Sequence, residues 1–509
     1  MCKLFSLSHP PNFLPKTSRF IFDGIDQKPN KVAFVPFKLA EDKRMFKEWP
    51  LENIAELQRR RYITRKTALE VFLIDGTSHI FNFPNGDLEE VTQKLTSMRK
   101  TRIPNLVFYN SFDSRKILEK SGITRRWQTY ELSNFEYLMA LNTLAGRSYK
   151  DLTQYMVFPW ILCQYFSESI NLEDPTNFRD LAKTMGALGN EDRIKTFEER
   201  FENNDLFNNT PKFHFGSHYS SPAIILQYLL RLYPYTQGAK ELQGGRFDLA
   251  DRLFYSIEDS YRAATSEISD VRELVPEFYF LPDFLFNKEK LDFGVMQTGN
   301  RVNHVAMPKW SRYNPYRFVS ILRIALESDL VSKNLHNWID LIFGYKQRGK
   351  ESEKALNTFY YLTYEDMVDL DKIPDPGTRA AFETQIIHFG QTPSQLFLRP
   401  HPQRLNKEAL MTYKIIGDPA ADIHFYRPSS KKKPSVITEL LSVFHAPAKA
   451  LVKLKFINET KLMGVRKDGT VTYYRWWNSN NDSMTSSNIP FSCGIEKEKI
   501  TQLERTKSN

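Results

Sequence analysis

The sequence predicts an α+β protein of several domains: a small, incomplete β-sandwich closed by a helix, a large and mostly helical body with extended segments in its core, and a few further strands. Three features point there. Between Arg61 and Phe83, short runs of strand character flank an Asp75-Gly76 pair and lead into an amphipathic pattern. Over 125–404, helical periodicity alternates with aromatic segments that contain Pro and Gly. After Pro447, three short strand-like runs stand close together.

In chain order, residues 1–20 form a loose N-terminus, because Pro10, Pro11 and Pro15 break any periodicity. The first domain is expected over 21–112. Its early strand candidates are Phe20-Ile21-Phe22, Val32–Val35 and Phe37. Arg61-Tyr62-Ile63-Thr64-Arg65 and Leu69–Ile74 then read as strands, Asp75-Gly76 as a hairpin turn, and His79–Phe83 as the returning strand. Pro84-Asn85-Gly86-Asp87 turns the chain into a helix whose apolar face is Leu88, Val91, Leu95 and Met98, with Glu89 and Glu90 in the first turn, where the dipole favours acids. Few strands precede Arg59, so the sheet is expected to be incomplete, with an open edge, as in a fragment or a shortened gene product.

The helical body is expected over 125–404, with helices at 134–145, 222–232, 315–331, 334–343 and 379–389. Aromatic burial should draw the segments 211–222, 276–286 and 389–402 inward, and buried irregular backbone must find hydrogen-bond partners. Asn134, Asn142, His218, Gln391 and Gln395 are suited to supply them. The run Trp338–Phe343 reads as a buried helix, ended near Gly344 by a left-handed glycine. A polar linker follows over 405–447, with Lys431-Lys432-Lys433. In 448–509 the strand candidates are Leu451–Ile457, Lys461–Arg466 and Thr470–Trp477, with Asp468-Gly469 as a turn.

Hydrophobic residues make up 41% of the 509 and aromatics 14%, enough for a large core. The net charge of +10 is uneven: +7 over 1–124, −4 over 125–404 and +7 over 405–509. A nucleic-acid binder concentrates positive charge on its recognition fold, so basic flanks around a mildly acidic body fit an anionic membrane surface or acidic partners better. No Gly-x-Ser-x-Gly elbow, phosphate loop, His-Glu-x-x-His or Cys-x-x-Cys is present. His214 and His218 have the spacing of helical metal ligands, but Gly216 lies between them and no acid or cysteine is near. Ser217, Ser220 and Ser221 beside His218 could form a nucleophile–base pair, yet nothing identifies a third, orienting group. No catalytic residue, metal, cofactor or small-molecule substrate is therefore expected. The basic cluster Arg59-Arg60-Arg61 with Arg65 and Lys66 keeps three readings open: an exposed strand face, part of a protein-binding groove, or a phosphoinositide headgroup site.

Beyond composition, a series of strings is ordered along the chain: Ser133-Asn134-Phe135-Glu136-Tyr137-Leu138-Met139, Val157–Leu162, Gly216–Ser221, Pro276–Pro282, Trp338–Gly349 and Phe389–Phe397. Together they resemble the signature of the BEACH domain family, and the β-rich segment before them resembles the PH-type domain that family carries. Asn53–Phe83, Leu242–Asp248 and 436–478 look most like the neurobeachin and neurobeachin-like branch. The resemblance implies a PH-like β-sandwich with a C-terminal helix, then a BEACH fold threaded by extended segments, then the start of a WD-repeat β-propeller too short to close. It implies a non-enzymatic scaffold in vesicle and membrane trafficking, on cytosolic faces of endomembranes, including granule or lysosome-related organelle biogenesis. Trafficking proteins, or acidic and phosphorylated peptides, would bind in a groove between the PH-type and BEACH parts. That groove would be lined by Arg60, Arg61, Tyr62, Arg126, Trp127, Glu131, Asn134 and Glu136. Membrane association would be weak and peripheral. The alternative is a direct anionic-lipid or phosphoinositide adaptor that uses the Arg59–Lys66 cluster.

Overall fold

The computed structural model describes residues 53–83, 86–97, 113–203 and 210–406, together with strands at 20–21, 31–36, 47–50, 107–109, 451–458, 461–466, 471–478 and 493–500. Two compact units divide after Leu410, and each is described by itself.

In the first unit, β1 (Phe20–Ile21), β2 (Lys31–Pro36) and β3 (Lys47–Pro50) form a small antiparallel sheet in the order β1-β2-β3. A second sheet contains β4 (Ile54–Tyr62), β5 (Arg65–Leu73), β6 (Ser78–Asn82) and β7 (Val107–Tyr109) in the order β6-β5-β4-β7. β4, β5 and β6 are an antiparallel meander, and β7 joins β4 in parallel. The Asp75-Gly76 turn forms as expected: Gly76 is left-handed (φ 85°), and Thr77 accepts from Leu73 at 2.8 Å. Helix α1 (Leu88–Ser97) buries Leu88, Val91 and Leu95 against Ile54, Leu57, Leu69, Val71 and Phe81 of the sheet. Met98, Phe22 and Phe37 lie outside the described residues.

The strand expected over 61–65 is not continuous. Tyr62 pairs with Arg65 across a two-residue loop, Ile63-Thr64, with both residues left-handed (φ 45° and 64°). Such turns favour Asn and Gly, and β-branched residues at positive φ are strained. What holds this one is burial of Ile63, described below.

The helical body contains α2 (Ser114–Ser121), α3 (Ile123–Gln128), α4 (Asn134–Leu144), α5 (Glu191–Glu202), α6 (Pro222–Leu229), α7 (Tyr235–Leu242), α8 (Ile257–Ser266), α9 (Pro315–Leu326), α10 (Asp329–Ile342), α11 (Lys350–Lys354) and α12 (Pro376–Phe389). Several boundaries differ from expectation: α6 ends at Leu229, α10 begins at Asp329 and α12 at Pro376, and a helix over 315–331 is cut by Ser328, whose hydroxyl caps α10 by accepting from Val331 N–H at 3.2 Å. Extended segments run through the centre. Phe158 and Leu274 exchange two backbone hydrogen bonds at 2.8 Å, with Phe158 and Trp160 fully buried. No described helix is long and apolar enough to cross a membrane.

Gly344 is a further correction. Its backbone is extended (φ −115°, ψ −162°), not left-handed. Space rather than conformation demands glycine there, since a Cβ would sit 2.6 Å from Asp340 Cα.

In the second unit, β8 (Leu451–Asn458), β9 (Lys461–Arg466), β10 (Val471–Asn478) and β11 (Cys493–Ile500) make an antiparallel sheet in the order β11-β10-β9-β8. Three of these match the strand candidates, the fourth does not figure among them, and the Asp468-Gly469 turn lies outside the described residues.

Candidate functional site

The β4–β5 hairpin is keyed into the helical body. At its tip Ile63 is buried with Leu362, Leu370 and Ile386, and Tyr62, Tyr360, Val368 and Phe382 pack around them. Along its length the arginines are paired one by one. Arg59 meets Glu89 at 2.6 Å, and Arg61 meets Glu365 at 2.5 Å and donates to Ser394 Oγ at 2.9 Å. Arg65 meets Asp371 and Glu383, both at 2.7 Å. Arg60 is buried: its Nε pairs with Glu70 Oε2 at 2.7 Å, and its Nη1 donates to the Thr143 carbonyl at 2.7 Å. Glu70 Oε1 in turn accepts from Ser78 Oγ at 2.9 Å and Ser148 Oγ at 2.7 Å. The Glu70 carboxylate on β5 therefore joins β4 and β6 to the loop after α4, and Arg60 extends the network to the last turn of α4, although its Nη2 has no hydrogen-bond partner among the described residues. Gln154 Nε2 adds a bond to the Arg61 carbonyl at 2.9 Å. Burial pushes the Tyr62 hydroxyl upward from its ordinary pKa, with Asp151 and Glu383 adding to the effect.

The other residues assigned to the groove gather elsewhere. Trp127 is fully buried, stacked on Tyr137 at 4.8 Å, and its Nε1 donates to Asn134 Oδ1 at 2.8 Å. Asn134, also buried, donates to the Leu326 carbonyl at 2.7 Å and to Ser332 Oγ at 3.0 Å. Ser133 and Glu136 form a capping box on α4, and the backbone N–H of Ser133 holds the Glu136 carboxyl below its ordinary pKa. Arg126 and Glu131 face solvent, 3.3 Å apart.

The eight residues thus fall at opposite ends of α4. Arg60 reaches its last turn, whereas Trp127, Asn134 and Glu136 sit at its first. Eleven helical residues separate the two groups by about 16 Å. A single groove lined by all eight does not form. Trp127 and Asn134 belong to the core, where the indole N–H satisfies the Asn134 amide oxygen and the amide in turn donates to the Leu326 carbonyl at the end of α9. Arg126, Glu131 and Glu136 remain exposed.

The five expected hydrogen-bond suppliers all act on buried groups. Asn142 donates to Val157 O at 3.0 Å and accepts from Val157 N–H at 2.9 Å, and Gln395 donates to the Gly344 carbonyl at 3.0 Å. Gln391 donates to Thr153 Oγ1 at 2.9 Å. His218 accepts from Ser220 N–H on Nδ1 at 3.3 Å, leaving Nε2 to face Thr392 Oγ1 at 3.2 Å. Burial, then the neighbouring Arg147 charge, holds His218 neutral, and Arg147 itself donates to Ser220 Oγ. Among the described residues His218 meets no carboxylate at either nitrogen. His214 accepts from Thr358 N–H, and among the described residues no group of three or more His, Cys, Asp or Glu could hold a metal ion.

Buried arginines are what sequence reasoning missed. Arg193 donates to the carbonyls of Met185, Leu188, Ala264, Glu267 and Asp270. Arg231 serves Phe254 and Asn303. The half-buried Arg404 does the same for Trp127 and Leu132, with Asn134 Oδ1 at 2.7 Å. Nothing in composition distinguishes them from surface cations.

Fold and junction together define a small β-sheet module locked onto a helical body whose extended core is hydrogen-bonded by its own side chains. The chain belongs to the Beige/BEACH domain family: that family's model matches residues 125–404, and the model of the PH domain associated with Beige/BEACH matches 12–96. It is similar to BEACH domain-containing protein A2 of Arabidopsis thaliana, at 48% identity over 367 residues, 70% of this chain and 10% of that protein. It is similar to Protein SPIRRIG of Arabidopsis thaliana, at 44% over 417 residues, 80% of this chain and 12% of that one. BEACH domain-containing protein lvsD of Dictyostelium discoideum is 43% identical over 396 residues, 73% of this chain and 13% of that protein. The chain spans about a tenth of the length of these curated relatives.

Proposed function

We propose that this chain is a non-enzymatic scaffold that recruits trafficking proteins, through acidic or phosphorylated segments, to cytosolic membrane surfaces, with the neurobeachin-like branch and granule or lysosome-related organelle biogenesis as its setting. The strands of 451–500 are, on the same proposal, the start of a WD-repeat propeller. What carries the proposal is the keyed hairpin: Ile63 and the buried Arg60–Glu70 pair join sheet and helices into one platform, as a recruiting surface requires. The partner-facing cation is the exposed Arg126 of α3, with Glu131 and Glu136 exposed beside it where the chain enters α4. The rival, direct lipid binding by the Arg59–Lys66 cluster, has less to work with, because Arg59, Arg60, Arg61 and Arg65 each meet a carboxylate.

Affinity capture from cytosol, read by mass spectrometry, tests this with the intact chain and Arg126→Glu. A defined set of partners should be lost. Retention of every partner would remove the assignment of that surface.

A further inference from the structure

We propose that the surface at the start of α9 docks on an anionic lipid bilayer. The segment before the helix holds Arg312 and Tyr313 consecutively in the left-handed region (φ 55° and 56°), which L-residues enter only at a cost. This conformation turns both outward while their neighbours Trp310, Ser311 and Pro315 stay buried. The base beneath is firm: Trp310 stacks on Phe318 at 5.6 Å and donates to the Gln164 carbonyl at 2.9 Å. Asn314 then caps α9, accepting from Tyr316 and Arg317 N–H at 2.9 and 3.2 Å.

Large apolar surface stands proud of this base. Tyr313 is 69% exposed, Tyr316 59% and Ile324 57%. Tyr316, Ser320 and Ile324 recur every fourth residue and so share one helix face. The charges beside it are mixed, with Glu258 near Lys309 and Glu136 near Arg323, but two guanidinium groups stand unpaired among the described residues. Lys288, Lys309 and Arg323 each have an acid, in Asp283, Glu168 and Glu327. Arg312 and Arg317 have no acid partner among the described residues, and Arg317 donates only to the Trp310 carbonyl, at 3.4 Å. Unpaired guanidinium groups alternating with protruding tyrosines and an isoleucine suit the headgroup layer, where amphipathic rings lodge and anionic lipid attracts each cation. Side chains exposed to this degree project outward rather than line a cleft, which favours a bilayer over a bound peptide.

Flotation of the whole chain on phosphatidylcholine vesicles, with and without phosphatidylserine, tests the proposal. Binding should require phosphatidylserine. The double variant Arg312→Gln/Arg317→Gln should lower partitioning about thirtyfold, at about fivefold per cation near an anionic surface. Tyr313→Ser/Tyr316→Ser should lower it severalfold at unchanged charge. Arg126→Glu should bind vesicles normally, so failure here and failure of the proposed partner surface are separable. An unchanged Arg312/Arg317 variant, or binding lost only when Lys431, Lys432 and Lys433 are neutralised, would overturn it. So would retention on immobilised polyglutamate in place of vesicles, which would assign the surface to a protein. These side chains are exposed, and an unchanged melting temperature confirms that the variants fold.

Discussion

Burial pushes the Glu277 carboxyl up to about 7; Tyr155 donates to one oxygen at 2.6 Å, while the other has no hydrogen-bond partner among the described residues. A raised carboxyl pKa favours the folded state fully only below the unfolded value near 4.5, and this contribution is lost as pH climbs to about 7. Relative to the natural chain, Glu277→Gln should therefore gain up to about 3 kcal/mol between pH 5 and pH 8, measured by urea unfolding. A difference independent of pH would mean that Glu277 ionises as readily folded as unfolded. The buried histidines act in the opposite sense. Burial lowers His214 to about 4 and His401 to about 3, so their contribution is present above pH 6.5 and lost as pH falls toward those values. Thermal stability should decline progressively below pH 6.5. Gly344→Ala tests a steric claim at the same scale. Overpacking against Asp340 should cost about 1–3 kcal/mol, although the extended backbone would accept any residue.

The meander of β4, β5 and β6 shows which elements the sequence discloses. Asp75-Gly76 was legible because its residues are those a tight turn prefers, and α1 because Leu88, Val91 and Leu95 recur at helical spacing. The Ile63-Thr64 turn was illegible for the same reason inverted: two β-branched residues argue for strand, and only the distant Leu362, Leu370 and Ile386 make a turn there worthwhile. Ile63→Ala should cost about 2–4 kcal/mol and raise hydrogen exchange in residues 362–387 as well as in the hairpin. Exchange changes confined to the hairpin would mean that the tip does not anchor the sheet. Glu70→Ala, which strands Arg60 among buried groups, should cost about 3–5 kcal/mol. Helices α2, α3, α5, α7, α8 and α11 went unread, although α5 carries a sequence signal in Asn190, which caps it, and in Glu191 and Asp192 of its first turn.

For the molecule as a whole, a grouping of eight residues by proximity to the domain junction could not anticipate that α4 lies between them. Sequence adjacency says nothing about which end of a helix a neighbour reaches. Nor could it foresee that Trp127 and Arg404, 277 positions apart, would meet. Arg404 spans both ends of the helical body. It donates to the carbonyls of Trp127 at 3.0 Å and Leu132 at 2.7 Å, and its guanidinium lies 3.9 Å from the Tyr130 ring. Gln128 closes the same seam on the Gln403 carbonyl at 2.9 Å. Arg404→Ala should lower the unfolding free energy by on the order of 3 kcal/mol, and Arg404→Lys should restore little, because an ammonium lacks the planar fork. The clasp also has a mechanical meaning. Tension drawn along the chain from either side of the helical body would load these few bonds in parallel before it reached the aromatic interior. The helical body would thus withstand a pull without its core being the first part to yield.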